Sequence, residues 1–166
     1  VGFANKETAV PNKLETNFNI ASMGKTFTAT LIMQLVQEGK LSLNEKVATI
    51  LPEFVIKRAD SITVYQLLTH TSGVGNYMMH VNFEDERRKL KSLDDVMPYV
   101  VAMEPTSKFP GESYQYSNSG FIILGKIIEK LTGKSYNENL GERIFSKTGM
   151  NQSYIHYPAT FNAPKE

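Results

Sequence analysis

The chain has 166 residues, of which 41% are hydrophobic and 21% charged, so length and composition predict one domain with its own hydrophobic core. The formal net charge of +1 gives no broad field for nucleic acid or an anionic membrane, and a small-molecule or peptide partner is favoured instead. The absence of cysteine excludes disulfides, thiolate nucleophiles and cysteine zinc sites.

The N-terminal part is predicted to be extended first and helical afterwards. Residues 1–21 are the main strand-like stretch, and residues 17–21 alternate polar and apolar types, which fits a strand or an extended lead-in. From Ser22 onward, apolar residues recur at three-and-four spacing as far as Gly39. This pattern predicts a helix over residues 22–38 with Gly39 at its C-terminal cap.

The middle of the chain contains two further helix starts. Thr63 and Gln66 have the spacing of a capping box, which predicts a short helix over residues 63–68, followed by a loop over residues 69–76. Ser92 is suited to cap another helix, which we expect to be interrupted near Pro98.

The C-terminal part is predicted to be mostly helical. An apolar helix is expected over residues 119–131, ending at Gly133, and a capping box at Ser135 opens another over residues 135–145. Only residues 153–157 look extended. Helices therefore outnumber strands, and at most a small sheet is expected.

Ser22 and Lys25 form an S-x-x-K pattern at the predicted start of a helix. The three-residue offset places the hydroxyl and the amine one turn apart on the same face. Free N–H groups in the first turn of a helix can also hold an oxyanion, so such a serine can be acylated. Taken alone, the pattern is more typical of a helix cap and a solvated lysine.

Tyr116 and Asn118 form the second candidate pair, in a loop that closes into the predicted apolar helix. A tyrosine beside a cationic lysine has its pKa lowered from about 10, so its phenol can move protons. An asparagine amide offers a donor and an acceptor for orienting a substrate. The tripeptide alone is more typical of a turn with a packed ring.

Three blocks of sequence together resemble the serine β-lactamase-related family, close to class C β-lactamases, D-alanyl-D-alanine carboxypeptidases and esterases of that fold. The blocks are residues 19–29 around S-x-x-K, residues 66–73 ending in His-Thr-Ser-Gly, and residues 110–120 around Tyr-Ser-Asn. The second catalytic element has the Y-x-N form instead of S-D-N, which resembles the class C-like branch.

The resemblance implies an α+β fold of the β-lactamase/transpeptidase type, represented here mainly by its helical lobe with a short N-terminal strand region. It also implies that Ser22 is the acylated nucleophile, Lys25 its proton acceptor or electrostatic partner, Tyr116 the proton shuttle and Asn118 a substrate-orienting amide. The backbone N–H of Ser22 is the expected oxyanion donor. No cofactor and no metal are expected.

The histidines are not expected to take part in the chemistry. His70 could complete a serine triad on paper, but the resemblance implies that its loop supports the fold. His80 and His156 lack metal-ligand spacing and are expected at the surface.

The third motif of the family, a Lys or His followed by Ser/Thr and Gly on a sheet strand, is expected to be absent. Lys147-Thr148-Gly149 has the letters but falls where the resemblance places a loop after the helical region. We therefore expect residues 1–166 to be a partial domain, without the C-terminal strands.

Two functions stay open at this point. The first is a serine hydrolase that forms an acyl-enzyme from β-lactams, D-Ala-D-Ala peptides or small esters. The second is a catalytically incompetent helical fragment that acts as a binding or interaction module. Residues 1–166 by themselves are expected to acylate slowly or not at all, and to self-associate or exchange strands. The resemblance also makes export or association with the cell envelope an expectation.

Overall fold

The computed structural model describes residues 2–107 and 109–155. Two short strands come first, β1 (Phe3–Asn5) and β2 (Val10–Pro11). The helices that follow, in chain order, are α1 (Lys25–Gln37), α2 (Val47–Ile50), α3 (Val64–Leu68), α4 (Phe83–Glu86), α5 (Leu93–Ala102), α6 (Asn118–Thr132), α7 (Tyr136–Leu140) and α8 (Ser146–Thr148). Tight 3₁₀ turns lie at Ala21–Gly24, Tyr77–Met79 and Arg87–Lys89, and a π-helical turn at Gly141–Phe145 joins α7 to α8.

Helix α6 is the centre of the helical part. It packs against α1, α3, α5 and α7, so that its apolar stripe is enclosed by other helices. Most of the large side chains that are buried completely come from these same helices: Leu31, Ile32 and Leu35 of α1, Leu67 of α3, Met97 of α5, Ile123, Leu124, Ile127 and Ile128 of α6, and Leu140 of α7. Burial of this apolar surface is the main driving force for the fold.

Strands contribute little, as predicted. Strands β1 and β2 pair antiparallel, and β1 is fully exposed. The alternative of a strand over residues 17–21 is wrong, because residues 17–20 form no ladder and Ala21 already belongs to the 3₁₀ turn. No second strand pairs with that segment among the described residues. Of the predicted extended stretch 153–157, residues 153–155 are irregular and the rest lies outside the described residues.

Several predicted helix boundaries agree with the structure where local capping determines them, but α1 begins at Lys25 instead of Ser22, and the helix predicted over residues 135–145 is α7 followed by the π-helical turn. The capping boxes opened by Thr63 and Ser135 are both formed. Gly39 and Gly133 follow their helices with φ of 70° and 69°, the left-handed conformation that glycine adopts without a steric penalty.

The expected interruption at Pro98 is wrong. Helix α5 begins at a capping box in which Ser92 and Asp95 are paired, and it continues through Pro98 to Ala102. Pro98 and Asp94 are both exposed. Because Pro98 has no backbone N–H, the carbonyl of Asp94 has no helical donor and can bond to water instead. On the opposite face, Met97 and Val100 are buried and hold the helix in place.

Candidate active site

The turn that carries Ser22 has an unusual backbone. Ala21 has a φ of 46°, a left-handed conformation that costs a non-glycine residue on the order of 1–3 kcal/mol. The side chain of Asn19 stabilises this turn, since its Oδ1 accepts a hydrogen bond from the Ala21 N–H at 2.8 Å. The chain therefore bends sharply before Ser22, and the Ser22 side chain is exposed.

Ser22 does not cap a helix. It lies inside the 3₁₀ turn, and neither that turn nor α1 has a side-chain cap. Its hydroxyl instead accepts a hydrogen bond from Lys25 Nζ at 3.1 Å. The alternative of a helix cap and a solvated lysine is thereby wrong, because Lys25 is half-buried and its amine is engaged with other side chains.

Tyr116 and Asn118 meet the first pair from the start of α6. The Tyr116 hydroxyl lies 2.8 Å from Ser22 Oγ, and Lys25 Nζ donates to Asn118 Oδ1 at 2.8 Å. Packing of α1 against α6 brings these two helix starts together. All four predicted site residues thus belong to one connected hydrogen-bond network, although Ser22 and Tyr116 are 94 positions apart.

The network changes the acidity of the tyrosine. Lys25 and the hydroxyl of Ser22 favour the phenolate and lower the pKa of Tyr116 below its ordinary value of 10.0. Lys25 Nζ also lies 5.0 Å from the centre of the Tyr116 ring and 5.7 Å from that of Phe121. These contacts place a cation against two aromatic rings beside the serine.

His70 lies behind Tyr116. Its ring centre is 4.4 Å from that of Tyr116 and 5.1 Å from that of Phe121, and its Nδ1 accepts from the backbone N–H of Ser117 at 3.3 Å. Burial, and secondarily repulsion from Lys25, lower the pKa of His70 and favour the neutral ring. These contacts support the prediction that His70 holds the loop, because its ring and Nδ1 are engaged with the 116–121 segment.

The structure adds two residues to the site that sequence reasoning missed. Asn118 Nδ2 lies 3.4 Å from Asn76 Oδ1 and 3.1 Å from Met78 Sδ. Asn76 caps the Tyr77–Met79 turn by accepting from the backbone N–H of Met78. An asparagine before a short apolar run is a capping signal, but nothing local indicates that the turn contacts α6.

The other candidates lie away from this network. Lys147 is in α8. The Lys147-Thr148-Gly149 run therefore does not lie on a sheet strand, which confirms the prediction. His80 accepts at its Nδ1 from the backbone N–H of Asn82, whereas His156 lies outside the described residues.

Metal-binding clusters of three or more His, Cys, Asp or Glu residues do not occur within the described parts of the chain. None of the helices in residues 2–107 and 109–155 has the length and apolar character to span a bilayer.

An open cavity of about 990 Å³ is lined in part by Ala21 and Gly24 of the turn that carries Ser22. We call it the N-terminal groove. One wall is the irregular segment 14–21, in which Leu14, Phe18 and Ile20 are exposed. The opposite wall includes Phe27, Tyr136, Leu140, Phe145 and residues 149–155.

Comparison with known proteins agrees with this fold. The family described as Beta-lactamase matches residues 1–164. Penicillin-binding protein 4 of Amycolatopsis lactamdurans is 34% identical over 158 residues, covering 92% of this chain and 39% of the relative. A beta-lactamase of Providencia stuartii is 30% identical over 157 residues, covering 95% of this chain and 38% of the relative.

A solved structure shows the same architecture. The crystal structure of a penicillin-binding protein from Bacillus halodurans superposes with a TM-score of 0.80 at 34% identity, covering 94% of this chain and 49% of that one. The fold is therefore of the β-lactamase/transpeptidase type, with the helical part represented in the described residues. The chain belongs to the beta-lactamase family, a family of serine hydrolases. It spans about two fifths of the length of the two curated relatives.

Proposed function

We propose that the chain carries the nucleophile side of an acyl-transferring serine hydrolase, with Ser22 as nucleophile. The observation that carries this proposal is the contact of Ser22 Oγ with both Lys25 Nζ and the Tyr116 hydroxyl. A nucleophile within hydrogen-bond distance of a proton acceptor, next to a fixed cation, is the arrangement that covalent catalysis requires.

The contacts are compatible with one assignment of roles. Lys25 Nζ donates to Ser22 Oγ, and the 2.8 Å contact allows Ser22 to donate its own proton to the Tyr116 oxygen, which is the direction proposed here. The lowered pKa of Tyr116 favours the phenolate that accepts this proton. Lys25 supplies positive charge to both oxygens.

The reaction then proceeds in two balanced steps. Ser22 Oγ attacks the substrate carbonyl carbon while its proton passes to Tyr116, and an oxyanion forms at the backbone N–H of Ser22. The bond to the leaving amine or alcohol breaks as Tyr116 returns the proton to it. Asn118 orients the substrate. In the second step a water oxygen attacks the acyl carbon and gives a proton to Tyr116, and the bond between that carbon and Ser22 Oγ breaks as Tyr116 returns the proton to Ser22.

The substrate class is proposed only as a carbonyl compound that can acylate a serine: a β-lactam, a D-Ala-D-Ala peptide or a small ester. These substrates differ in the pocket walls they need. We propose further that residues 1–166 are a partial domain, whose third motif and C-terminal strands are supplied by a longer natural protein.

Labelling with a fluorescent penicillin and with a fluorophosphonate tests the proposal. We expect the longer protein to label at Ser22, located by peptide mapping, and the chain alone to label more slowly by at least the roughly 10²–10³-fold that loss of one oxyanion donor costs, or not at all. Ser22→Ala should abolish labelling without unfolding, because the Ser22 side chain is exposed and bonds only within the site. Equal labelling of Ser22→Ala would refute the nucleophile.

The pH dependence provides a second test. If the Tyr116 phenolate accepts the serine proton, the acylation rate rises with pH through the pKa of Tyr116, which lies below 10.0. Tyr116→Phe should remove this rise and slow acylation by about 10²-fold or more. A rise that persists in Tyr116→Phe would assign the proton acceptor elsewhere.

The second candidate function is a binding module without catalysis, and the exposed apolar side chains of the N-terminal groove favour it. The same labelling experiment separates the two functions. Labelling of neither the chain nor the longer protein at Ser22 would favour the binding module.

A further inference from the structure

The side-chain amide of Asn118 has a different kind of partner at each end. Its Oδ1 accepts from Lys25 Nζ at 2.8 Å, and its Nδ2 faces Asn76 Oδ1 at 3.4 Å and Met78 Sδ at 3.1 Å. A lysine ammonium has donors only, so the carbonyl end of Asn118 must face Lys25. The NH₂ end is consequently directed at the turn that contains Asn76 and Met78.

The orientation of Asn76 is fixed in turn by the backbone. Its Oδ1 accepts from the backbone N–H of Met78 at 3.4 Å, as the cap of the Tyr77–Met79 turn. A backbone N–H can only donate, so an oxygen must occupy this position. The same oxygen faces the NH₂ group of Asn118. A chain of directed hydrogen bonds thus runs from a backbone N–H through Asn76 and Asn118 to Lys25.

The turn itself is held rigidly. Ser119 Oγ, fully buried in α6, accepts from the Tyr77 N–H at 2.8 Å. Before the turn, a β-carbon on Gly75 would lie 2.3 Å from the Glu104 carbonyl oxygen, so the backbone is in close contact there. Asn76 is therefore presented from a fixed backbone.

The two acceptors of the Asn118 NH₂ group differ in strength. An amide oxygen is a good acceptor, whereas a thioether sulfur is a weak one. Asn76 thus contributes more to the orientation of Asn118 than Met78 does, although Met78 is closer.

We propose that Asn76 is a positioning residue that fixes the amide of Asn118, so that Oδ1 stays on Lys25 beside Ser22. Its value for catalysis rests on the proposed function, but the orientation itself is a property of the chain without substrate. An amide free to flip would turn its NH₂ group toward Lys25 and lose that hydrogen bond.

Exchange of the Asn118 NH₂ protons with water, followed by NMR on chain labelled with ¹⁵N-asparagine, tests the orientation directly. Loss of one hydrogen bond in Asn76→Leu should speed exchange about fivefold. Asn76→Asp keeps the acceptor oxygen and should restore slow exchange, and Met78→Leu should have a smaller effect than Asn76→Leu. Asn44→Leu, at an exposed asparagine, is the matched control and should change nothing.

Unchanged exchange in Asn76→Leu, or failure of Asn76→Asp to restore it, would overturn the proposal. Asn76→Ala is measured in parallel, so that a variant that does not fold cannot decide the result.

The acylation rate constant for a fluorescent penicillin is then measured separately from the affinity of the initial complex. Asn76→Leu should lower mainly the rate constant, and an effect on affinity alone would contradict positioning. Absence of labelling in the unsubstituted protein would refute the proposed function, whereas the exchange rates would still decide the role of Asn76.

Discussion

The candidate active site and the N-terminal groove both include residues of the Ala21–Gly24 turn and are built in different ways. At the site, Ser22, Lys25, Tyr116 and Asn118 satisfy one another above helices α1 and α6, whose packed faces are buried. In the groove, Leu14 and Phe18 have 101% and 68% of their surface exposed. The site is therefore preorganised by packing inside the chain, whereas the groove has an apolar wall that the described residues leave uncovered.

The sharpest contrast comes from two leucines. Leu31 of α1 is completely buried, and Leu14 in the groove is fully exposed. We expect Leu31→Ala to lower the free energy of unfolding by about 2–5 kcal/mol, because it leaves a cavity. Leu14→Ala should change it by less than about 0.5 kcal/mol. Urea denaturation measures both, and a large loss in Leu14→Ala would show that the groove is covered in solution.

Phe18 tests whether a second copy covers the groove. We propose that the chain self-associates there, because Leu14, Phe18 and Ile20 are exposed together in one wall of the groove. Sedimentation velocity over a concentration series should show association that Phe18→Ser weakens. Phe3→Ser, exposed on β1 away from the groove lining, is the control. A monomer at every concentration would exclude self-association through this surface.

Substitutions at two glycines compare the closely packed backbone before Asn76 with a position that has open space around it. A β-carbon at Gly75 would lie 2.3 Å from the Glu104 carbonyl oxygen, whereas Gly141 has open space and a helical φ of −58°. Gly75→Ala should therefore destabilise the chain by about 1–3 kcal/mol. Gly141→Ala should stabilise it by about 0.4–1 kcal/mol. Thermal melts compare the two, and equal shifts would show that the 73–76 loop yields easily.

The smallest expected effect concerns an ion pair at the end of α1 far from the site. Glu38 bonds to Lys40 at 2.8 Å and Arg143 at 2.7 Å, and these cations lower its pKa from 4.5 to about 2. A carboxylate with a lowered folded-state pKa stabilises the fold above pH 4.5 and loses that contribution as pH falls toward 2.

Glu38→Gln removes this titration. The melting temperatures of the two proteins should differ most above about pH 5 and converge as the pH is lowered. The difference should be small, because the pair is partly exposed and screened by solvent. A gap that is constant from pH 3 to pH 7 would show that Glu38 acts through packing instead of charge.

Local sequence determined the helices and their ends. The capping boxes at Thr63 and Ser135, and the glycines after α1 and α6, fix boundaries through hydrogen bonds and φ values within a few residues. Local sequence did not predict that α5 continues through Pro98. That outcome depends on which face of α5 the other helices bury.

For the site, the sequence by itself identified Ser22, Lys25, Tyr116 and Asn118 as candidates through the spacing of two short motifs. That these side chains meet was decided by the tertiary structure, since Ser22 and Tyr116 are 94 positions apart and only the packing of α1 on α6 brings them together. The contact of Asn76 with Asn118 could not be predicted from the sequence pattern, because it joins a loop to a helix start through side-chain geometry alone. Donor and acceptor roles can be assigned to these groups only in the folded structure, because a hydrogen bond requires the two groups to be about 3 Å apart.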